Sequence, residues 1–405
     1  MGLRYVVLRR VPTPKSAAGA RRSTIPTATR STFPTTAEVA EPKSPVSVSV
    51  EAMPPARAAA VSDEEETAAV ALAIPMKLIA PVAMAAEVDT VVGGTTWGVK
   101  AVGADRSPFS GKGVTVAILD TGIDLAHPAF AGIDIARKNF TTESDEDLDG
   151  HGTHCAGTIF GRDVDGTRIG VAPGIKRALV GKVLGEGGGT SDVVLRAIEW
   201  ALDNGANVIS MSLGFDFPGL VAGLEKEGFP TELATSVALE GYRTNVALFE
   251  SLADLVSKRG AFGSPALLIA AAGNESRLED NPDFEIAVSP PAVATGIVSV
   301  AALGQGDGGL SLAPFSNVGA RLCGPGVAVV SAKAGGGLTA LNGTSMATPH
   351  VAGVAALWAE KLRAARQLTP QLFDTRLAGS ATTDPLKADF KPRHVGGGLV
   401  QAPDR

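Results

Sequence analysis

Short apolar runs recur along the chain after about residue 110, and stretches with helical periodicity separate them. The first of them, at 114–119, is rich in β-branched residues, and short apolar runs of this kind are typical of strands buried on both faces of a parallel sheet. They lie at residues 114–119, 177–183, 208–213, 267–272 and 297–303. This alternation predicts an α/β domain over residues 91–405 with a three-layer αβα architecture, in which helices cover both faces of a mainly parallel sheet.

An insertion at about residues 215–265 has a different pattern. Apolar residues recur there at spacings of three to five between residues 230 and 259, which predicts a long helix. The pattern leaves three roles open for it: an extra packing element, a wall of a cleft, or a dimer contact.

A second, smaller unit is predicted at residues 45–90. Residues 46–50 alternate as a strand, residues 56–67 are compatible with a helix, and residues 70–74 form another apolar run. A small β-α-β segment is therefore expected before the main domain.

The first 44 residues are predicted to be a disordered basic arm. They are rich in Ser, Thr, Ala and Pro and show no core pattern. Residues 1–40 carry a net charge of +6, whereas the whole chain carries −6, which argues against nucleic-acid binding by the whole protein. The arm has no apolar run of seven residues, so we expect no secretory signal, and cytoplasmic location and non-standard export both remain open. Pro75, Lys77 and Pro81 interrupt residues 68–86, so no membrane span is expected there.

Three polar residues occupy positions suited to chemistry. Asp120 follows the apolar run 114–119, and open α/β sheets build their sites at the carboxyl ends of strands. His151 lies between two glycines at the start of a small-residue helix. Ser345 follows Gly-Thr directly before another small-residue run, where unpaired helix N–H groups can stabilise an oxyanion.

Four motifs extend this arrangement. They are Ala-Ile-Leu-Asp-Thr-Gly-Ile-Asp at 117–124, His-Gly-Thr-His-Cys-Ala-Gly at 151–157, Ala-Ala-Gly-Asn at 271–274 and Gly-Thr-Ser-Met-Ala-Thr-Pro-His at 343–350. In this order they resemble the subtilisin-like serine proteases, the subtilase family, roughly from residue 97 to the C-terminus. Cys155 makes the second motif similar to the proteinase K branch.

The resemblance implies a serine endopeptidase that acts on polypeptides through an acyl-enzyme and requires no cofactor for its chemistry. Ser345 would be the nucleophile, His151 its general base and Asp120 the residue that orients the imidazole. Asn274 and the backbone N–H of Ser345 would form the oxyanion hole.

The resemblance also implies the walls of a substrate cleft. Small residues on both sides of the cleft favour a large apolar side chain before the scissile bond. One wall comprises Ser212, Leu213 and Gly214, and the other comprises Ala271, Ala272 and Gly273. Gly187 and Gly188 fall where a second substrate-pairing strand is expected, although a flexible loop is the alternative.

The small N-terminal unit resembles the inhibitory prodomain of the family. This implies a self-processing precursor whose own N-terminal segment acts as an intramolecular inhibitor, with a cut expected within residues 85–96. A structural calcium ion is left unassigned, because Ala129 replaces the aspartate ligand of bacterial relatives. The acidic run 143–149 either binds a cation or is a solvated loop.

Other functions fit the sequence less well. The glycines at 185–189 lack the third glycine of a dinucleotide fingerprint. An esterase of the α/β-hydrolase type would carry Gly-x-Ser-x-Gly and place its serine before the acid and the histidine. A peptide-binding pseudoprotease would normally have lost one of the catalytic residues, and none is lost here. Two cysteines, Cys155 and Cys323, cannot form a disulfide framework.

Overall fold

The computed structural model describes residues 3–10, 46–83, 93–261 and 263–404. Its strands are β1 Leu3–Arg10, β2 Val46–Met53, β3 Thr67–Leu72, β4 Pro75–Leu78, β5 Gly94–Thr95, β6 Thr115–Asp120, β7 Asp134–Asn139, β8 Thr167–Arg168, β9 Arg177–Lys182, β10 Gly189–Thr190, β11 Val208–Met211, β12 Leu213–Phe215, β13 Leu267–Ala271, β14 Ile297–Gly306, β15 Gly309–Leu312, β16 Leu322–Pro325, β17 Val329–Ala332 and β18 Leu338–Leu341. Its α-helices are α1 Pro55–Ser62, α2 Trp97–Ala101, α3 His151–Phe160, α4 Ser191–Asp203, α5 Phe217–Lys226, α6 Thr231–Gly260, α7 Thr344–Ala364, α8 Pro370–Gly379 and α9 Pro392–Val395.

An eight-stranded sheet forms the centre of the main domain. Its order is β15-β14-β13-β11-β6-β9-β7, with β16 also paired to β14. Every pairing is parallel except the β14–β15 hairpin. The predicted α/β fold with a mainly parallel sheet is therefore confirmed.

Helices cover both faces of this sheet. Consecutive residues of β11 and β13 are all buried, and since successive side chains point to opposite faces, both faces must be covered. Helices α3 and α7 pack against each other, and α7 also contacts β11, β13, β14 and β16, while α4 contacts β6 and β9. From β6 the chain adds β7 and β9 on one side of the sheet and then β11, β13 and β14 on the other side. A crevice opens at such a switch point, which here lies between β6 and β11.

The N-terminal unit contains one strand more than the sequence predicts. Strands β2, β1 and β3 form an antiparallel sheet in that order, and α1 packs on one of its faces. The predicted order of strand, helix and strand is confirmed by β2, α1 and β3, although the helix ends at Ser62 and the second strand begins at Thr67. Residues 3–10 are the central strand of the sheet and not part of a disordered arm. Val6 and Leu8 are fully buried, so strand β1 supplies apolar surface to the core. Residues 11–45 lie outside the described residues.

The insertion holds two helices, α5 and α6, and the predicted helix at 230–259 matches α6. Helix α6 packs against α5 and against β3 of the N-terminal unit, and α4 contacts β2. The insertion therefore packs against other parts of the chain, including the N-terminal sheet, and its helix α5 also contacts β4. Neither the role of a packing element nor that of a wall is thereby excluded, and a dimer contact stays a prediction. Within the described part of the chain, no helix combines the length and the apolar character needed to cross a membrane.

Candidate active site

Asp120 and His151 form a buried hydrogen-bonded pair. Asp120 ends β6 and His151 begins α3, and each is only 1% exposed. The Nδ1 of His151 lies 2.7 Å from Oδ1 of Asp120, which also accepts a hydrogen bond from the backbone N–H of Thr121 at 2.8 Å. The strand end and the helix start thus place the carboxylate where it fixes the orientation of the imidazole.

The environment stabilises the protonated form of His151. Burial alone lowers the pKa of an imidazole, but here the Asp120 carboxylate and the adjacent Cys155 raise the pKa of His151 well above its ordinary value. Burial also raises the pKa of the Cys155 thiol. His151 is therefore suited to hold a proton taken from a neighbouring nucleophile.

Asp147 joins the segments that carry Asp120 and His151, a role the sequence did not indicate. Its Oδ1 accepts from the Thr121 hydroxyl at 2.8 Å and from the Gly150 N–H at 2.9 Å. Its Oδ2 accepts from the N–H and the hydroxyl of Thr153 at 2.9 and 2.6 Å. Asp147 is 8% exposed, so this member of the acidic run is not part of a solvated loop.

Ser345 and Asn274 lie together at the start of α7. Ser345 is the second residue of the helix and is fully buried, so its N–H is one of the first-turn groups that lack a partner within the helix. The Asn274 side chain is fixed because its Oδ1 accepts from the N–H and the hydroxyl of Thr344 at 2.9 and 2.8 Å. The amide Nδ2 therefore points its donors into the cleft.

The chain's own residues 75–83 lie in this cleft. Strand β4 pairs antiparallel with β12 on one side and with β10 on the other, so three strands run side by side. Beyond β4, the N–H of Ile79 donates to the Ser212 carbonyl at 3.2 Å, and the N–H of Val82 donates to the Asn342 carbonyl at 2.9 Å. An extended segment thus crosses the site and is hydrogen-bonded on both sides of Ser345.

Two consecutive carbonyl groups of this segment meet the reactive groups. The Ser345 hydroxyl donates to the Ile79 carbonyl oxygen at 2.5 Å, and Asn274 Nδ2 donates to the Ala80 carbonyl oxygen at 2.9 Å. Among the described residues, His151 Nε2 has no hydrogen-bond partner. Ser345 and Asn274, the predicted nucleophile and oxyanion donor, are therefore hydrogen-bonded to neighbouring peptide groups.

The predicted cleft walls fall into three groups. Leu213 and Gly214 pair with Leu78 and Lys77, and the position of a Gly214 Cβ would lie 3.6 Å from the side chain of Ile79. Ile79 is only 3% exposed, so its side chain is buried against this wall.

The wall at residues 271–273 lies beside the start of α7. Ala271 ends β13, and both Ala271 and Ala272 are fully buried. The N–H of Gly273 donates to the Thr344 hydroxyl at 3.2 Å. This segment therefore positions Asn274 at the start of α7, beside Ser345.

The glycine-rich loop differs from its prediction. The pairing strand is Gly189–Thr190, opposite Met76 and Pro75. Gly187 and Gly188 instead form the turn before it, closed by two hydrogen bonds between Gly185 and Gly188. A Cβ on Gly188 would meet the Met76 carbonyl, which explains the glycine there, whereas Gly187 has open space around it. Because the turn occupies residues 185–188, the strand that pairs with β4 begins at Gly189, two residues later than the predicted Gly187.

Among the described residues, one cluster of His, Cys and acidic side chains is close enough to share a metal ion, and it is Asp120, His151 and Cys155. Two of its members are the hydrogen-bonded pair already described. Both cysteines are buried and free. Calcium ligands therefore remain unassigned.

A family model described as the subtilase family matches residues 111–394, which is more than half of the chain. This chain belongs to the subtilase family. The matched range contains Asp120, His151, Asn274 and Ser345, whereas the N-terminal unit and its segment in the cleft precede it.

Curated relatives of this subtilase are similar over the same region. Subtilisin-like protease 6 of Trichophyton verrucosum is 34% identical over 280 residues, which cover 69% of this chain and 59% of the relative. Subtilisin-like protease 6 of Arthroderma gypseum is 35% identical over 292 residues, which cover 67% and 62%. The subtilase thus spans about three fifths of the length of these relatives.

A solved structure shares the fold. It is fervidolysin from Fervidobacterium pennivorans, a keratinolytic enzyme related to subtilisin, with a TM-score of 0.58 and 24% identity. The match covers 83% of this subtilase and 52% of fervidolysin. At this identity the likeness supports the fold alone.

Proposed function

We propose that this subtilase is a serine endopeptidase that hydrolyses peptide bonds through an acyl-enzyme. The observation that carries the proposal is the meeting of Ser345 and Asn274 with the carbonyl groups of an extended peptide segment, beside the Asp120–His151 pair. Hydrogen-bond donors and a nucleophile around peptide carbonyls are what acyl transfer requires.

The reaction needs no cofactor. His151 Nε2 accepts the proton of the Ser345 hydroxyl while the serine oxygen bonds to the substrate carbonyl carbon. Asn274 Nδ2 and the Ser345 N–H stabilise the oxyanion, and Asp120 stabilises the imidazolium. The C–N bond then breaks, and His151 gives its proton to the leaving amine. Water attacks the acyl-enzyme in the same way and releases Ser345.

We further propose that the N-terminal segment is the intramolecular inhibitor and the first substrate, cut at the Ile79–Ala80 bond. Pairing of Ile79 with Ser212 and contact of its side chain with Gly214 support this bond. Attack requires the Ile79 oxygen to replace that of Ala80 at Asn274, and until then the segment blocks the cleft. The window 85–96 expected from the sequence lies further along the chain, and most of it falls outside the described residues.

Activity of the full chain against casein tests the proposal, with Ser345→Ala as the inactive variant. We expect a loss of at least about 10⁴-fold. Ser236→Ala, an exposed serine on α6, is the matched control and should keep full activity. Equal activity of the Ser345→Ala protein would rule out the assigned nucleophile.

Intact-mass measurement of the same preparations tests self-processing. The unmodified protein should release a fragment that ends at Ile79, and the Ser345→Ala protein should remain whole. A fragment of the same mass from the Ser345→Ala protein would show that another protease makes the cut.

A further inference from the structure

Lys77 lies between two carboxylates of the cleft wall. Its Nζ is 3.9 Å from Oδ1 of Asp216 and 3.7 Å from Oε1 of Glu275. Asp216 follows β12 and Glu275 follows the oxyanion-hole segment, so the two acids come from opposite walls of the cleft. They meet at one side chain of the segment that occupies the substrate position.

Both carboxylates are held in place by other groups. Asp216 caps α5, because its Oδ1 accepts from the Gly219 N–H at 3.2 Å. Glu275 Oε2 accepts from Asn317 Nδ2 at 2.8 Å, and the Glu275 N–H donates to Asn317 Oδ1 at 3.0 Å. A site arranged in advance loses little conformational freedom when a ligand binds.

The neighbouring side chains of the segment differ from Lys77. Met76 and Ile79 are 1% and 3% exposed, whereas the Lys77 side chain is 40% exposed, and those of Asp216 and Glu275 are 35% and 39% exposed. Lys77 therefore reaches the wall by its charged end and not by burial of apolar surface. Charge at this position, two residues before Ile79, is what the wall can distinguish.

We propose that Asp216 and Glu275 form an acidic subsite that selects peptides with Lys or Arg two residues before the residue whose carbonyl is attacked. The inference rests on the proposed endopeptidase function and names a feature of its substrates. Exposed ion pairs contribute modestly, so two carboxylates acting on one cation should give a preference of about three- to tenfold over a neutral residue.

Fluorogenic peptides of sequence Pro-Met-X-Leu-Ile, with the reporter after Ile, measure this preference. The full chain is expressed and assayed after it has processed itself, with Lys, Gln or Glu at X. We expect kcat/KM to fall by about three- to tenfold from Lys to Gln and further to Glu. In the double variant Asp216→Asn/Glu275→Gln, the Lys and Gln peptides should be cleaved equally.

The substitutions preserve the other contacts of the two residues. Asparagine is as good a helix cap as aspartate, and glutamine keeps an oxygen that can accept from Asn317. Glu279→Gln/Asp280→Asn is the matched control: it removes two charges from exposed positions of the loop that follows Glu275. This control should leave the preference for Lys over Gln unchanged, because neither residue forms an ion pair with Lys77. If the preference arose only from the net charge of the protein, it would fall in both double variants.

A second measurement does not depend on turnover. In the full-length Ser345→Ala protein, Lys77→Gln should speed amide hydrogen exchange at residues 76–79 by about three- to tenfold, and only while both carboxylates are present. The subsite is overturned if kcat/KM is about equal for the Lys and Gln peptides in the unmodified enzyme. It is also overturned if the preference for Lys persists in the Asp216→Asn/Glu275→Gln variant. If no peptide is hydrolysed, the endopeptidase proposal fails instead, and the exchange measurement alone decides whether these carboxylates hold Lys77.

Discussion

Replacement of Asn245 by alanine should loosen the N-terminal unit from the main domain. Asn245 lies on α6 and is fully buried. Its Nδ2 donates to the carbonyl of Leu72, at the end of β3, at 2.7 Å and to the Gly241 carbonyl of its own helix at 2.8 Å. This side chain is therefore a direct polar link between the insertion and the sheet that precedes the cleft segment.

The size of the effect follows from these contacts. Leaving the buried Leu72 carbonyl without this donor costs about 1–3 kcal/mol. The buried Asn245 Oδ1 has no partner within the described residues. Removing this unpaired oxygen is favourable and offsets part of the loss in stability. We expect a net loss of about 1–2 kcal/mol, which raises the population of the opened N-terminal unit by about 5- to 30-fold.

Hydrogen exchange of residues 67–72 measures this opening, with Ser345→Ala as the background so that no cleavage intervenes. Exchange should accelerate by the same factor in Asn245→Ala. Thr244→Ala is the control, because that hydroxyl donates only to the Glu240 and Gly241 carbonyls of its own helix, and its effect should stay below about 0.5 kcal/mol. Less than a twofold change in Asn245→Ala, or an equal change in Thr244→Ala, would refute the reasoning.

Two further predictions concern stability, measured by urea unfolding in the same Ser345→Ala background. Glu360 Oε2 accepts from three consecutive N–H groups at residues 110–112, at 2.7, 2.7 and 3.0 Å, so Glu360→Ala should lose about 1–3 kcal/mol, and an unchanged midpoint would contradict this. Burial lowers the pKa of His154 to about 3 and that of His350 to about 4. The unfolded chain therefore binds these protons first, and stability should fall as pH drops from about 6.5 to about 4, by up to about 1.4 kcal/mol per pH unit for each histidine. His350→Asn should reduce that slope, and an identical slope would exclude His350 as a contributor.

Much of the central sheet could be predicted because its strands are buried on both faces and so appear as continuous apolar runs. The run at 208–213 shows the limit of this signal. It contains two strands, β11 and β12, interrupted at Ser212, because β12 leaves the central sheet to pair with β4 in the cleft. Apolar character is the same in both strands, and only the pairing partner distinguishes them.

Burial of a charged residue is not indicated by the sequence around it. Asp147 lies within the acidic run 143–149, yet it is buried and accepts four hydrogen bonds, whereas its neighbours Asp145 and Glu146 are exposed. Burial of an acid depends on donors supplied by other segments. Those donors are Thr121, Gly150 and Thr153, and local composition does not indicate that they converge.

The sequence by itself determined the family, the parallel sheet and the order of Asp120, His151 and Ser345, because these depend on local patterns and short motifs. The tertiary structure alone decided that residues 3–10 are the middle strand of the N-terminal sheet and that residues 75–83 cross the cleft. It also decided that Lys77 meets Asp216 and Glu275. Strand pairing and ion pairs join residues far apart along the chain, and their partners are set by how the whole chain packs.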